Sequence, residues 1–223
     1  VCYLYKTDES YESGLNIFTD KKIAVYKNLN TEHVLLTLIN KHNLDIDSNN
    51  IIQAPYNGIE AFINDEFDVL ASYMTNEPIL LKLAGIDVDY FDPAEYGVDF
   101  YSGVFVTRSD IWEDMDNSGL NTEDLSGFIK AVNRGWRYCK NNPDESISLM
   151  YSKYPDINEK YSRKMAEKSI EFYSRYITED NNPAAMDRDK WLTMENDLFE
   201  IDKISQRGLV DKLCDFKFIE SCK

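Results

Sequence analysis

The chain has 223 residues, and 40 Asp and Glu against 24 Lys and Arg give it a formal charge of −16 at pH 7. This charge argues against a nucleic-acid partner, because phosphate backbones repel an acidic surface. Hydrophobic residues make up 43% of the chain and aromatic residues 13%, which excludes a disordered acidic tail. One large folded domain or two small ones are indicated. The apolar runs fall well short of the roughly 20 residues of a membrane span, so we predict no transmembrane segment.

Short apolar runs alternate with amphipathic stretches through the first half of the chain. Residues 1–5 predict one strand, and four further strands are predicted at 23–26, 51–52, 67–71 and 87–91. Helices of about ten residues are predicted between them, beginning near Thr31, near Ile59 and at Glu77. Strands that alternate with helices indicate an α/β layer with a mostly parallel sheet.

The pattern changes near residue 108. Residues 97–107 are predicted to be extended, and helices are predicted afterwards at 122–139, from Pro143, at 158–176 and at 191–198, with 216–219 closing back as an extended segment. We therefore predict an α/β lobe over 21–105. Residues 1–20 and 106–223 are predicted to form hinge strands and the mainly helical part of another lobe.

Signatures of catalysis or metal binding are weak. His33 and His42 lie nine residues apart on roughly opposite faces of one helix, so they cannot be neighbouring metal ligands. Residues 114–119 (DMDNSG) resemble the start of a calcium loop, but its twelfth position is Leu125 and the required carboxylate is missing. The four cysteines are too scattered for a metal-binding pair. We predict no enzymatic activity, no cofactor and no metal site.

Polar side chains follow two of the predicted parallel strands. Tyr73, Asn76 and Glu77 come after the strand at 67–71, and Asn30 and Thr31 join the strand at 23–26 to its helix. Open α/β sheets bind their ligands at the carboxyl ends of such strands. The alternative is that both segments only cap the helices that follow them.

A third group lies where the chain passes between the predicted lobes. Tyr96, Asp99 and Phe100 stand in the aromatic-rich segment 96–103, which contains Gly97 and Gly103. Aromatic faces beside one carboxylate suit a flat ligand that forms hydrogen bonds. A packed hinge without a ligand is the alternative.

Two motifs, SYMTNEP at 72–78 and YGVDFY at 96–101, with KKIAV at 21–25 ahead of them, carry a family resemblance. Over residues 1–155 the chain resembles the thiamine-pyrimidine-type group of periplasmic solute-binding proteins. The resemblance implies a periplasmic-binding-protein-like α/β fold, in which two lobes close on a small ligand. Members of the family usually begin with a further stretch of roughly ninety residues, most of a small domain. We therefore expect the second, mainly helical lobe to be incomplete here.

The resemblance also implies a function and a set of ligand-binding residues. We expect an extracytoplasmic domain that binds a compact polar or aromatic solute, such as a thiamine-pyrimidine-like compound, for uptake through an ABC-type permease or for signalling. The alternative is a sensor or protein-interaction domain of a membrane signalling protein that has lost the ligand cleft. The expected ligand-binding residues are Tyr73, Asn76, Glu77, Asn30 and Thr31 from one lobe and Tyr96, Asp99 and Phe100 from the hinge side. Related enzymes carry a Cys-rich motif that this chain lacks.

Overall fold

Five short apolar segments form one sheet in the computed structural model, which describes residues 1–7, 14–113, 121–157, 162–175, 177 and 185–222. The strands are β1 (Cys2–Lys6), β2 (Ile23–Val25), β3 (Ile51–Gln53), β4 (Val69–Ser72) and β5 (Val88–Phe91). They lie in the order β3-β2-β4-β1-β5. β2 pairs in parallel with β3 and β4, whereas β1 is antiparallel to β4 and β5. The predicted α/β class with a mostly parallel sheet is confirmed.

The first strand of the chain lies inside this sheet, between β4 and β5. Cys2 is paired with Ser72, and Tyr3 is paired with Ala71 on one side and Phe91 on the other. We expected residues 1–20 to form hinge strands and part of the other lobe, and β1 pairs within the α/β sheet. The physical reason is that Cys2, Tyr3 and Leu4 are fully buried there, with helices covering both faces of the strand.

Three helices cover the two faces of the sheet. They are α1 (Asn30–His42), α2 (Gly58–Ile63) and α3 (Glu77–Leu83), close to the predicted positions. α1 contributes Leu35 and Leu38 to a core cluster that contains Tyr3, and α2 and α3 contribute Phe62 and Leu81 to a second cluster that contains Leu4. Because successive strand residues point to opposite faces, α1 covers one face of the sheet and the other two helices cover the opposite face.

Helices follow in the rest of the chain, as predicted. They are α4 (Ser109–Glu113), α5 (Thr122–Asn141), α6 (Pro143–Lys153), α7 (Arg163–Ser174), α8 (Arg188–Glu200), α9 (Val210–Leu213) and α10 (Phe216–Ser221). Asn121 caps α5, where its side chain and that of Asp124 each accept the other residue's backbone N–H. Residues 98–108 form neither helix nor strand, and their role as a hinge stays a prediction. The ends of the helix predicted at 158–176 lie outside the described residues.

The end of the chain differs from the prediction. We expected residues 216–219 to close back as an extended segment. The structure instead forms α10, since the Asp215 carboxylate accepts the backbone N–H of Phe218 at 2.8 Å and caps the first turn. This cap satisfies a backbone donor at the helix start, which local alternation alone does not take into account.

Close contacts divide the chain into two units. The first contains Val1–Ser102 and Leu192–Leu209, and the second contains Gly103–Trp191 and Val210–Lys223. The first unit holds the whole sheet together with the later half of α8. Within the described residues of the second unit, the regular elements are all helices. Among all described residues, no helix is both long and apolar enough to cross a membrane.

Candidate functional site

An open cleft lies in the first unit at the carboxyl edge of the parallel strands. β2, β3 and β4 all end at this edge and lead into α1, α2 and α3. The cleft has a volume of about 420 Å³, which is within the usual range for small-molecule sites. Residues from all three strand-to-helix connections line it, among them Tyr26, Tyr56, Gly58, Glu60, Ile63 and Glu77. This location is the one that open α/β sheets use for ligands.

Glu77 is the best-fixed charged group of the cleft. Its Oε2 atom accepts the backbone N–H of Tyr73 at 3.1 Å, and its Oε1 atom accepts a hydrogen bond from the Asn76 side-chain amide at 3.0 Å. A carboxylate has about four acceptor positions, so these two bonds leave acceptor capacity on both oxygens. The three predicted residues Tyr73, Asn76 and Glu77 therefore form one connected group, with its carboxylate at the cleft.

Tyr26 and Tyr73 lie close enough to Glu77 for its negative charge to act on their phenols. Burial raises the pKa of Tyr26, and the negative charge of Glu77 raises it further; the same two causes raise the pKa of Tyr73. Both phenols therefore keep their protons at neutral pH and remain able to donate hydrogen bonds. Tyr26 packs closely against Gly58, because a Cβ atom on that glycine would lie 3.3 Å from the tyrosine hydroxyl oxygen and would make the ring shift by a few tenths of an ångström.

The start of α1 contributes the other two residues predicted for this edge. The Thr31 hydroxyl accepts the backbone N–H of Tyr26 at 3.2 Å and donates to the carbonyl of the same residue at 3.3 Å. Thr31 is itself buried, and its carbonyl accepts the hydroxyl of Tyr3 at 2.7 Å. Thr31 thus holds the backbone of Tyr26 in place. The buried Nδ2 atom of Asn30 has no hydrogen-bond partner within the described part of the chain.

Tyr96 and Phe100 lie elsewhere in the first unit. The Tyr96 ring stacks on Phe91 with centroids 4.6 Å apart, and its carbonyl lies 2.8 Å from Nε2 of His42. His42 ends α1 whereas Asn30 begins it, which separates the two ends by about 18 Å along the helix. Phe100 packs against the same core cluster as Phe91. The structure therefore does not bring these aromatic residues to the cleft.

Asp99 is exposed, next to the buried Val98. Its part in ligand binding, like that of Tyr96 and Phe100, stays a prediction.

Seven of the eight residues that line the cleft were not among the predicted ligand-binding residues: Tyr26, Tyr56, Asn57, Gly58, Ile59, Glu60 and Ile63. Tyr26 was taken as the last residue of a buried strand, although the strand ends at Val25. Gly58 begins a helix directly after the connection from β3, which was the available signal. A search of the β2-to-α1 and β3-to-α2 connections for small and aromatic residues would have found Tyr26, Tyr56 and Gly58, but not Glu60, which lies within α2.

No cluster of three or more His, Cys, Asp or Glu suited to a metal ion occurs within residues 1–7, 14–113, 121–157, 162–175, 177 and 185–222. The calcium-loop-like segment 114–119 lies outside those residues. Of the histidines, His33 is half-buried, and burial together with the positive charge of Lys203 lowers its pKa.

The part of the sequence that forms this cleft is similar to known proteins. The family model described as NMT1/THI5 like matches residues 4–146, a span that contains all eight predicted ligand-binding residues. The chain is also 23% identical over 162 residues to the formylaminopyrimidine-binding protein of Halalkalibacterium halodurans. That alignment covers 72% of this chain and 48% of the relative, so the chain spans about half the length of the curated relative it matches. The periplasmic-binding-like α/β fold expected from the resemblance is confirmed by the sheet and the family match.

Proposed function

Because the chain belongs to the NMT1/THI5-like family, we propose that it is a solute-binding domain whose cleft holds a small thiamine-pyrimidine-like compound. The relative from Halalkalibacterium halodurans is named for binding a formylaminopyrimidine, and we extend that ligand class to this chain. In this proposal the domain binds its ligand and does not transform it.

The fixed carboxylate of Glu77 is the observation that carries the proposal. An aminopyrimidine presents N–H donors in the plane of a flat ring, and a carboxylate held by two hydrogen bonds is a pre-oriented acceptor for them. Tyr26 and Tyr56 line the same cleft and offer aromatic surface and hydroxyl groups. Glu77, Tyr26 and Tyr56 together suit a flat heterocycle rich in N–H groups.

Charge narrows the ligand class further. Glu60 and Glu77 both line the cleft, and the whole chain has a formal charge of −16. A phosphorylated pyrimidine would meet like charges there, whereas a neutral or protonated pyrimidine would not. We therefore propose that the domain prefers the unphosphorylated base.

Calorimetric titration of the whole chain tests the proposal directly. We expect a formylaminopyrimidine to bind with a Kd on the order of micromolar or tighter, and thiamine, amines, amino acids and a pyrimidine phosphate to bind more weakly. The Glu95→Gln variant is the control for Glu77→Gln. It also loses one negative charge, but at an exposed site away from the cleft, and it should bind like the wild type. Absence of both heat and a thermal shift with every compound of the panel would overturn the proposal.

We also propose an extracytoplasmic role, in which the domain delivers its ligand to an ABC-type permease or reports it to a signalling module. The family membership supports this role. Capture of a membrane permease by the ligand-loaded chain, and not by the empty chain, would favour uptake. A partner that carries a kinase or cyclase domain would favour signalling.

A protein-interaction role is the second candidate. Val104, Phe105 and Val106 lie in the segment without regular structure, and 50%, 61% and 87% of their surfaces are exposed. Consecutive exposed apolar side chains are typical of surfaces that other proteins cover. Light scattering on the purified chain distinguishes the candidates, because a monodisperse monomer that binds the pyrimidine would favour the solute-binding role.

A further inference from the structure

Residues Leu192–Leu209, the brace segment, belong to the first unit although they follow its sheet by about a hundred residues. The segment is closed on itself by Glu195, which is buried and accepts the backbone N–H groups of Gly208 at 3.0 Å and Leu209 at 2.5 Å. Charged acceptors of this kind form strong hydrogen bonds. The brace segment, which begins with the last nine residues of α8, therefore has a defined shape.

Two ion pairs connect the brace segment to α1. Asp197 lies 2.7 Å from Nζ of Lys41, and Nζ of Lys203 lies 3.5 Å from Oε2 of Glu32. Glu32 and Lys41 are nine positions apart, which corresponds to about 13.5 Å along a helix. The brace segment thus contacts α1 near both of its ends, and Lys203 contacts the end that begins at the cleft edge.

Glu32 connects Lys203 to the turn that leads into α1. Its Oε2 atom also accepts the backbone N–H of Asn28 at 2.8 Å. Asn28 has a φ of 61°, a left-handed conformation that asparagine adopts more readily than most residues with a side chain and that the hydrogen bond to Glu32 helps to hold. Only one residue, Lys27, separates Asn28 from Tyr26 in the cleft. The ion pair is shielded, since the side chains of Lys203 and Glu32 are 26% and 13% exposed.

We infer that Lys203 is a positioning residue for the ligand cleft, acting through Glu32 on the turn at Asn28 and so on the placement of Tyr26. The ammonium group holds the Glu32 carboxylate where it can accept the Asn28 amide. Without Lys203 the carboxylate gains freedom to turn toward water, and the left-handed turn loses part of its support. This inference rests on the proposed function for its binding consequence, but not for its structural consequence.

The test measures amide exchange and ligand affinity in the same variants of the whole chain. In Lys203→Met we expect the Asn28 amide to exchange about three- to tenfold faster by NMR, and the Kd for a formylaminopyrimidine to rise by a similar factor. Lys203→Arg should restore both values, because a guanidinium group keeps the charge and reaches the same carboxylate. Lys212→Met, the same substitution at an exposed position of α9, should change neither.

A merely stabilising role for Lys203 predicts a different outcome. It would lower the melting temperature and speed exchange throughout the first unit, with no selective effect at Asn28, and would overturn the inference. Faster exchange at Asn28 with an unchanged Kd would also overturn it. A wild-type chain that binds no pyrimidine would contradict the proposed function, and the exchange rate at Asn28 would then decide by itself whether Lys203 holds the turn.

Discussion

The Nζ atom of Lys41 lies 2.7 Å from the Oδ2 atom of Asp197, although 156 positions separate the two residues in the chain. The same ammonium group donates to the carbonyl of Gly97 at 2.8 Å. Lys41 therefore joins α1, the segment that leaves the sheet after β5, and the brace segment at one point. Asp197 is almost fully buried, whereas the Lys41 side chain is 31% exposed.

This difference in exposure predicts an asymmetric effect of removing either partner. Lys41→Met leaves a buried carboxylate without its cation and should lower the free energy of unfolding by about 2–4 kcal/mol. Asp197→Asn should cost less, about 1 kcal/mol, because water can solvate the lysine and the bond to Gly97 remains. Urea denaturation measures both values. Lys82→Met, on the exposed side of α3, is the control. Equal losses of unfolding free energy in Lys41→Met and Asp197→Asn would contradict the prediction.

The Glu77 carboxylate should contribute to affinity more than to stability. Glu77→Gln removes the charge and leaves one amide oxygen where two carboxylate oxygens accept hydrogen bonds. We expect the Kd for a formylaminopyrimidine to rise about tenfold, with the melting temperature within about 2 °C of the wild type. Asn76→Ala should weaken binding in the same direction. A large loss of melting temperature in either variant would instead favour the capping-only interpretation of this segment.

Gly58 is predicted to be required for the placement of Tyr26. In Gly58→Ala the new Cβ atom would lie 3.3 Å from the tyrosine hydroxyl oxygen, so the ring must shift. We expect affinity to fall about three- to fivefold while stability changes by less than about 1 kcal/mol. Gly127→Ala in α5 is a matched control, since its Cβ atom would have no atom within 4 Å. That control should stabilise the chain by about 0.5–1 kcal/mol and leave the Kd unchanged.

Two buried ionisable side chains of β1 lead us to predict a loss of stability at alkaline pH. Burial raises the pKa of the Cys2 thiol from 9.0 to about 12, and it raises the pKa of the Tyr3 phenol well above 10.0. The native state keeps protons that the unfolded chain releases, so this contribution is complete below pH 9 and is lost as the pH rises toward 12. Each group should contribute a slope of about −1.4 kcal/mol per pH unit above its unfolded pKa.

Urea titrations at pH 7, 9, 10 and 11 measure that slope. Cys2→Ala should make the decline between pH 9 and pH 10 shallower, because the thiol contribution is then absent. A free energy of unfolding that is constant from pH 8 to pH 11 would show that the two buried groups do not control the alkaline limb.

Local patterns were sufficient for most of the regular elements of the first unit. The period-two and period-3.6 spacing of apolar residues depends only on neighbours in sequence, and so it located β2, β4, α1 and α3. The position of β1 between β4 and β5 depends on pairing with residues about seventy or more positions away. Local spacing contains no information about such partners.

For the candidate site too, local sequence spacing was sufficient only for residues that lie close together in the chain. Tyr73, Asn76 and Glu77 are consecutive or nearly so, and their group could be predicted from the end of one strand. The approach of Gly58 to Tyr26 depends on β3 lying beside β2, and the distance of Tyr96 from the cleft depends on which end of α1 it contacts. Both relationships are consequences of three-dimensional packing.

The orientation of β1 has a practical consequence for labelling the protein. Because Cys2 pairs with Ser72 at the end of β4, position 1 lies at the carboxyl edge of the sheet, next to Tyr73. A bulky group attached at position 1 would crowd this edge of the sheet. A small environment-sensitive fluorophore attached there would lie near the strand end that leads to Glu77, which makes position 1 suitable for an optical reporter of binding.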